Sequence, residues 1–119
     1  FKYSEMQRVQ EAINNLKPIH PEAKIEISGG INRPPLETSA TQSLYELAEK
    51  VAKDLGQTPL GSASVGGASD GNFAGIHTQV LDGLGAVGNG AHATHEHVLA
   101  SYLEPRSELL AALVKEILK

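Results

Sequence analysis

Two glycine-rich segments carry the residues best suited to chemistry. They are Gly66-Gly67-Ala68-Ser69-Asp70-Gly71-Asn72 and Gly88-Asn89-Gly90-Ala91-His92-Ala93-Thr94-His95-Glu96. Between Gly66 and His97 lie eight of the twelve glycines and four of the five histidines. Glycine at that density opens positive-φ conformations and lets backbone approach a ligand closely. Neutral histidine offers a ring nitrogen to a metal. The first segment leads from a predicted strand into a predicted helix start, a turn that can aim N–H groups at an anion, a carboxylate or a developing oxyanion. The same residues also serve as a plain tight connection with an Asp cap.

His92-x-x-x-Glu96 is the second constellation. Gly88, Gly90 and Ala91 clear space around the imidazole, and Glu96 or a main-chain carbonyl can accept from its second nitrogen. One His and one Glu fall short of the three or four protein ligands that a zinc site takes. Spacing alone therefore fits a loop histidine followed by a glutamate that opens a helix. His95 and His97 read as solvated neighbours, and His20 and His77 lie in connectors. Arg33, preceded by Asn32 and followed by Pro34-Pro35, is the third candidate. A guanidinium held there can grip a substrate carboxylate bidentately, or it can be an exposed linker arginine. Asp82 in Leu81-Asp82-Gly83-Leu84-Gly85 reads as a turn former. No serine or cysteine nucleophile motif is present, and no phosphate-loop or dinucleotide glycine pattern accompanies the turns.

These residues need elements to position them. Met6, Val9, Ile13 and Leu16 recur at helical spacing behind a Ser4-x-x-Gln7 capping box, and Pro18 bounds that helix. Ala23, Ile25 and Ile27 alternate with Lys24, Glu26 and Ser28, a half-buried strand. Gly29-Gly30 breaks it, and Ile31 to Glu37 form an extended, proline-bearing connector. Residues 1–28 thus belong to a different packing unit from the rest, with the boundary near Gly29. Ser39 to Leu55 is the strongest helix, with Leu44, Leu47, Ala48, Val51, Ala52 and Leu55 on one stripe, Ser39-x-x-Gln42 at its start and Gly56 at its end. Residues 59–65 and Gln79 to Leu84 read as short strands. Asp70 to Ile76 is a brief helix capped by Asp70 or Ser69, and Glu96 to Leu103 continues as helix or turn. A last helix starts at Pro105 with Leu109, Leu110, Leu113, Val114, Ile117 and Leu118 on one face.

At 119 residues, 40% hydrophobic and 20% charged, the chain has ordinary globular composition and length for one modest domain. A net charge of −4 without a basic stripe argues against nucleic acid as a partner. Aromatics at 4% leave little for base stacking. No apolar run approaches a membrane span. Without cysteine there are no disulfides and no thiolate metal sites. An opening at Phe1, already patterned like a protein interior, points to a piece of something longer.

In order, Asn32-Arg33-Pro34-Pro35, Gly66 to Asn72, Leu81 to Ala86 and Gly90 to Glu96 resemble the C-terminal part of zinc-dependent aminoacylase/carboxypeptidase metallopeptidases. That group includes glutamate carboxypeptidase, acetylornithine deacetylase and succinyl-diaminopimelate desuccinylase. The resemblance implies an α/β fold: part of a two-zinc exopeptidase-type catalytic domain together with the end of its inserted lid. Residues 1–28 would be the last helix and strand of that lid, which also dimerises the protein, and residues 29–119 the returning catalytic segment. Carried over by position, His92 is the metal ligand. Arg33, Gly67, Ala68 and Ser69 bind substrate, and Glu96 supports or caps behind the histidine. Ala68 stands where threonine is frequent.

The implied cofactor is a pair of zinc ions per full-length subunit, with cobalt or manganese left open. The implied reaction is hydrolysis of an amide bond next to a free carboxylate, in a peptide or N-acyl amino acid, by a cytoplasmic homodimer. The other zinc ligands and the general-base glutamate lie before the lid in such enzymes, so this segment holds no catalytic base and is expected to be inactive alone. Two other readings stand beside it: a non-catalytic dimerisation or binding module pairing through the edge Ala23 to Ser28, and a phosphate-binding domain using the glycine turn.

Overall fold

Helix-to-helix contact makes the only fully buried cluster among the described residues, 2–119 of a computed structural model. Helix α2 (Gln42–Asp54) contributes Ala48, Val51 and Ala52, and helix α4 (Leu103–Ile117) contributes Leu109 and Leu113. Leu47, Leu55, Leu60, Leu81, Leu84 and Ala112 pack around them. Small residues on α2 let α4 approach, and Leu109, 1% exposed, fills the space between. Removing such a side chain from water is worth about 1.5–3 kcal/mol.

The apolar stripe read from the sequence is what α2 buries. Its end is set by Gly56 at φ 69, whose N–H bonds the Lys53 carbonyl while the Gln57 N–H reaches back to Ala52. This is the glycine-terminated helix stop expected there. The Gln57 side chain then donates to the Pro105 carbonyl at 3.0 Å, tying the end of α2 to the first turn of α4. Helix α4 begins at Leu103, so Pro105 sits within its first turn instead of opening it. On the solvent side of α2, a hydrogen bond from Lys50 at 2.9 Å holds the Asp54 carboxyl below its ordinary range.

The first helix, α1 (Tyr3–Asn14), forms as its periodicity predicts but buries no residue. It starts after Lys2 and not at a Ser4 cap, and helix α2 starts after Thr41 and not at Ser39. Neither capping-box hydrogen bond is made. A short 3₁₀ turn, Thr38–Ala40, occupies the position expected for the start of α2. Helix α3 is shorter than expected, Gly71–Ala74; Asp70 precedes it without a side-chain cap hydrogen bond, and the Ser69 hydroxyl accepts the Gly71 N–H at 3.1 Å.

The strand expectations are not met. Residues 23–28, 59–65 and 79–84 are neither helix nor strand and form no ladder. A strand exists through hydrogen bonds to a neighbour, and an alternating pattern supplies the face without supplying the partner. Ile25 and Ile27 remain about 40% exposed or more, so the 23–28 segment has no half-buried face in this chain. The 79–84 segment is instead pinned by Val80 N–H to the Ala40 carbonyl at 2.8 Å and by Gln79 against Ser43 at 2.9 Å. Among the described residues the sheet is a single antiparallel pair, β1 (Gly88–Asn89) and β2 (His97–Val98), with Gly88 opposite Val98 and Asn89 opposite His97. The architecture is therefore a mixed, helix-rich one with a two-stranded sheet. The helix-or-turn continuation expected over Glu96 to Leu103 becomes β2 followed by a 3₁₀ turn, Ala100–Tyr102.

Candidate functional site

The connector Ile31–Glu37 and the turn before α3 come together around Arg33. Proline at 34 and 35 keeps the connector out of helix, and it passes beside the turn with a bend at Arg33. The Arg33 side chain, half-buried, donates through Nη1 to the Ser69 carbonyl at 3.0 Å. Its guanidinium carbon lies 4.8 Å from the centre of the Phe73 ring. That distance is within cation–π range, and the ring supports the flat face of the guanidinium. Among the described residues no protein acceptor takes the Nε and Nη2 hydrogens of Arg33. One edge of the fork is thus anchored and the other is free.

The turn itself is built from side chain to backbone. Asn72 accepts the Ser69 N–H on Oδ1 at 2.9 Å and donates through Nδ2 to the Pro34 carbonyl at 2.8 Å. The Ser69 hydroxyl donates to Asp82 at 2.7 Å and accepts the Gly71 N–H at 3.1 Å. Asp82 also accepts the Gly83 N–H at 2.9 Å, so it is the expected turn former with a further role in holding Ser69. Gly75 lies under Leu36: a Cβ there would stand 2.5 Å from Leu36 Cδ1 and 3.1 Å from the Gly71 carbonyl oxygen, so the leucine side chain would have to turn aside. Gly66 and Gly67 face open space, where a Cβ would meet nothing within 4 Å. Gly67 and Ala68 are exposed, while Ser69 is half-buried.

His92 occupies the tip of the β1–β2 hairpin. Gly88 lets the strands pair, since a Cβ there would overlap the His97 carbonyl oxygen. Gly90 turns the chain at φ 74, and its carbonyl accepts the Ala93 N–H at 2.8 Å. His92 follows at φ 65, the one described non-glycine residue with positive φ. Such a conformation is costly for a residue with a Cβ, and residues held in it cluster at functional sites. The ring is exposed and makes no hydrogen bond among the described residues. Glu96 closes the hairpin loop with its N–H on the Ala93 carbonyl at 3.1 Å. It leads into a strand, so the helix-opening role expected for it is replaced, and its carboxylate makes no hydrogen bond to His92. His97 turns Nδ1 to the His95 carbonyl at 2.9 Å, which occupies that nitrogen within the loop.

Arg33 and Ser69 are therefore brought together, whereas His92 stands on a separate hairpin. Among the described residues there is no group of three or more His, Asp or Glu placed to hold a metal. The exposed His92 ring offers a single donor, fewer than the three or four protein ligands that a zinc site takes. The rest of a zinc coordination sphere would come from groups outside these residues.

Sequence reasoning passed over Asn72, Phe73 and the second role of Asp82. The Ser69-x-x-Asn72 spacing is the signal that was there to be read, because an Asx side chain at that offset bonds local backbone. Nothing in the spacing foretold that Nδ2 would reach the connector.

A family model described as Peptidase family M20/M25/M40 matches residues 5–116. No curated protein and no solved structure matches the chain.

Proposed function

The chain belongs to peptidase family M20/M25/M40, and from that premise we propose that it is part of a zinc-dependent metallopeptidase or deacylase. The reaction is hydrolysis of an amide bond beside a free carboxylate, with peptides or N-acyl amino acids as the substrate class. His92 supplies one imidazole donor to the metal centre. Zinc bound there would polarise the scissile carbonyl and lower the pKa of water to near neutrality.

The other roles fall to residues gathered at the turn. Arg33 takes the substrate carboxylate on its free Nε–Nη2 edge, since two parallel N–H donors match two carboxylate oxygens. Exposed Gly67 and Ala68, with Ser69, form the backbone rail beside which the substrate lies. Their contribution is orientation, which converts binding into a reactive geometry. Glu96 shapes the loop that carries His92. Residues 1–28 are read as the end of a lid through which two copies pair, and residues 29–119 as catalytic-domain sequence, in a cytoplasmic enzyme. The glutamate base and remaining metal donors are read as lying elsewhere in the full-length protein.

The observation that carries this reading is the family match over almost the whole chain, including Arg33, the glycine turn and His92. Metal analysis of the full-length protein tests it. Purified enzyme is expected to hold close to a pair of zinc ions per subunit, and His92→Ala to lose a large part of that metal together with amide hydrolysis. Unchanged metal content and rate in the variant would refute the assignment.

A further inference from the structure

Three hydrogen bonds and one peptide bond form a closed ring around the Arg33 loop. Arg33 Nη1 donates to the Ser69 carbonyl, the Ser69 N–H donates to Asn72 Oδ1, and Asn72 Nδ2 donates to the carbonyl of Pro34. The peptide bond from Pro34 back to Arg33 completes it. Asn72 is the only side chain of the ring that uses both ends of its amide. Its acceptor grips the turn and its donor grips the connector, segments 38 residues apart in the chain for the Pro34 contact. An amide is the group that can do this, because it offers an acceptor and a donor on one rigid plane. A carboxylate would accept twice and repel the Pro34 carbonyl, and an aliphatic side chain would leave the Ser69 N–H and the Pro34 carbonyl without these partners.

From this ring we infer that Asn72 is a positioning residue for Arg33. It latches the connector to the glycine turn, so the guanidinium is held by Ser69 on one edge and by Phe73 beneath, with the other edge presented to a carboxylate. The inference rests on the reading of Arg33 as the carboxylate grip. Arginine is long and rotamer-rich, and holding it in its bound geometry beforehand lowers the ordering cost of each binding event. Without the Pro34 contact the connector is free to slide away from Ser69. The guanidinium would then point correctly for only part of the time, and apparent affinity falls by that fraction. Asn72 touches no substrate in this account. Its effect passes entirely through Arg33.

The experiment uses the full-length protein labelled with ¹⁵N and follows the Arg33 Nε–H signal, assigned by its loss in Arg33→Lys. N-acetylglycine, which carries a carboxylate, and N-acetylglycinamide, which does not, are the two probes. In the parent protein the signal is expected to move with N-acetylglycine and stay still with the amide. In Asn72→Leu and Asn72→Asp, N-acetylglycine binding is expected to weaken by about tenfold, the size typical of losing a group that orients a ligand-binding residue. Metal content is expected to stay at the parent level. A purely structural role would not weaken the carboxylate probe while sparing metal content. If Asn72→Leu fails to fold, Asn72→Asp preserves side-chain volume and the acceptor for Ser69 and carries the same comparison. Parent-like N-acetylglycine affinity in the Asn72 variants, with the Arg33 signal still responding, overturns the latch and leaves the carboxylate grip standing. An Arg33 signal indifferent to N-acetylglycine in the parent overturns the grip, and the latch with it.

Discussion

His92 and Arg33 solve opposite problems. Arg33 is long and flexible, and it gains precision from what it touches: a carbonyl at 3.0 Å, an aromatic face at 4.8 Å and a neighbour clamped by Asn72. His92 touches little, and gains its placement from backbone that glycine alone would adopt without strain. That strain gives a prediction with a sign. In metal-free full-length protein, His92→Gly is expected to raise stability by up to about 1 kcal/mol, because the left-handed conformation no longer opposes a Cβ. Metal occupancy in the same variant is expected to fall. Thermal unfolding with and without metal reads both, and a metal-free variant less stable than the parent would contradict the idea that His92 is held there at a cost. Their types made both residues candidates: a histidine among glycines, an arginine followed by two prolines. What spacing withheld was their partners. The Ser69 carbonyl, the Phe73 ring and the Asn72 amide come from 36 or more residues away in the chain, and only folding brings them to the connector.

Helices and strands differed in how far the sequence foretold them. The period of α2 is satisfied within the helix itself, and Gly56 marks its end by its own backbone geometry, so both could be read in advance. Each cap lies two residues from its expected position, since Lys2 and not Ser4, and Thr41 and not Ser39, precede the helices, neither with a side-chain cap. The strands expected at 23–28, from alternation, and at 59–65 and 79–84, as short runs, found no partner, and a run of strand-like residues alone makes no ladder. The pair that does form, β1 with β2, was hidden because three of its four residues are glycine, asparagine and histidine, and Val98 is its single branched apolar residue. Its function is to carry a loop. Gly88→Ala is therefore expected to cost about 1–3 kcal/mol by forcing a methyl against the facing strand. Metal occupancy should drop with it, because the loop bearing His92 loses its base. Gly85→Ala, where a Cβ meets nothing within 4 Å, serves as the control. Equal metal content in the two variants would show that the hairpin does not position the histidine.

At the scale of the whole molecule the chain is long and thin. It spans 65 × 37 × 18 Å with a radius of gyration of 19.8 Å. A compact domain of this length would have a radius of about 13.5 Å. Among the described residues five hydrophobic residues are buried, while Val9 and Ile13 of α1, Leu16 just beyond its end, and Leu103, Leu110, Val114 and Ile117 of α4 stay substantially exposed. These faces are apolar at helical spacing, as surfaces built to be covered are. Among the described residues no helix is long and apolar enough to cross a membrane.

In the proposed function the hairpin carries His92, an imidazole on an exposed loop, as one donor to a metal centre. The most direct measurement is X-ray diffraction from zinc-loaded crystals of the full-length protein, collected on either side of the zinc absorption edge. The account predicts an anomalous peak about 2.0–2.1 Å from a ring nitrogen of His92. Zinc bound elsewhere, with the His92 ring turned to solvent, would contradict it.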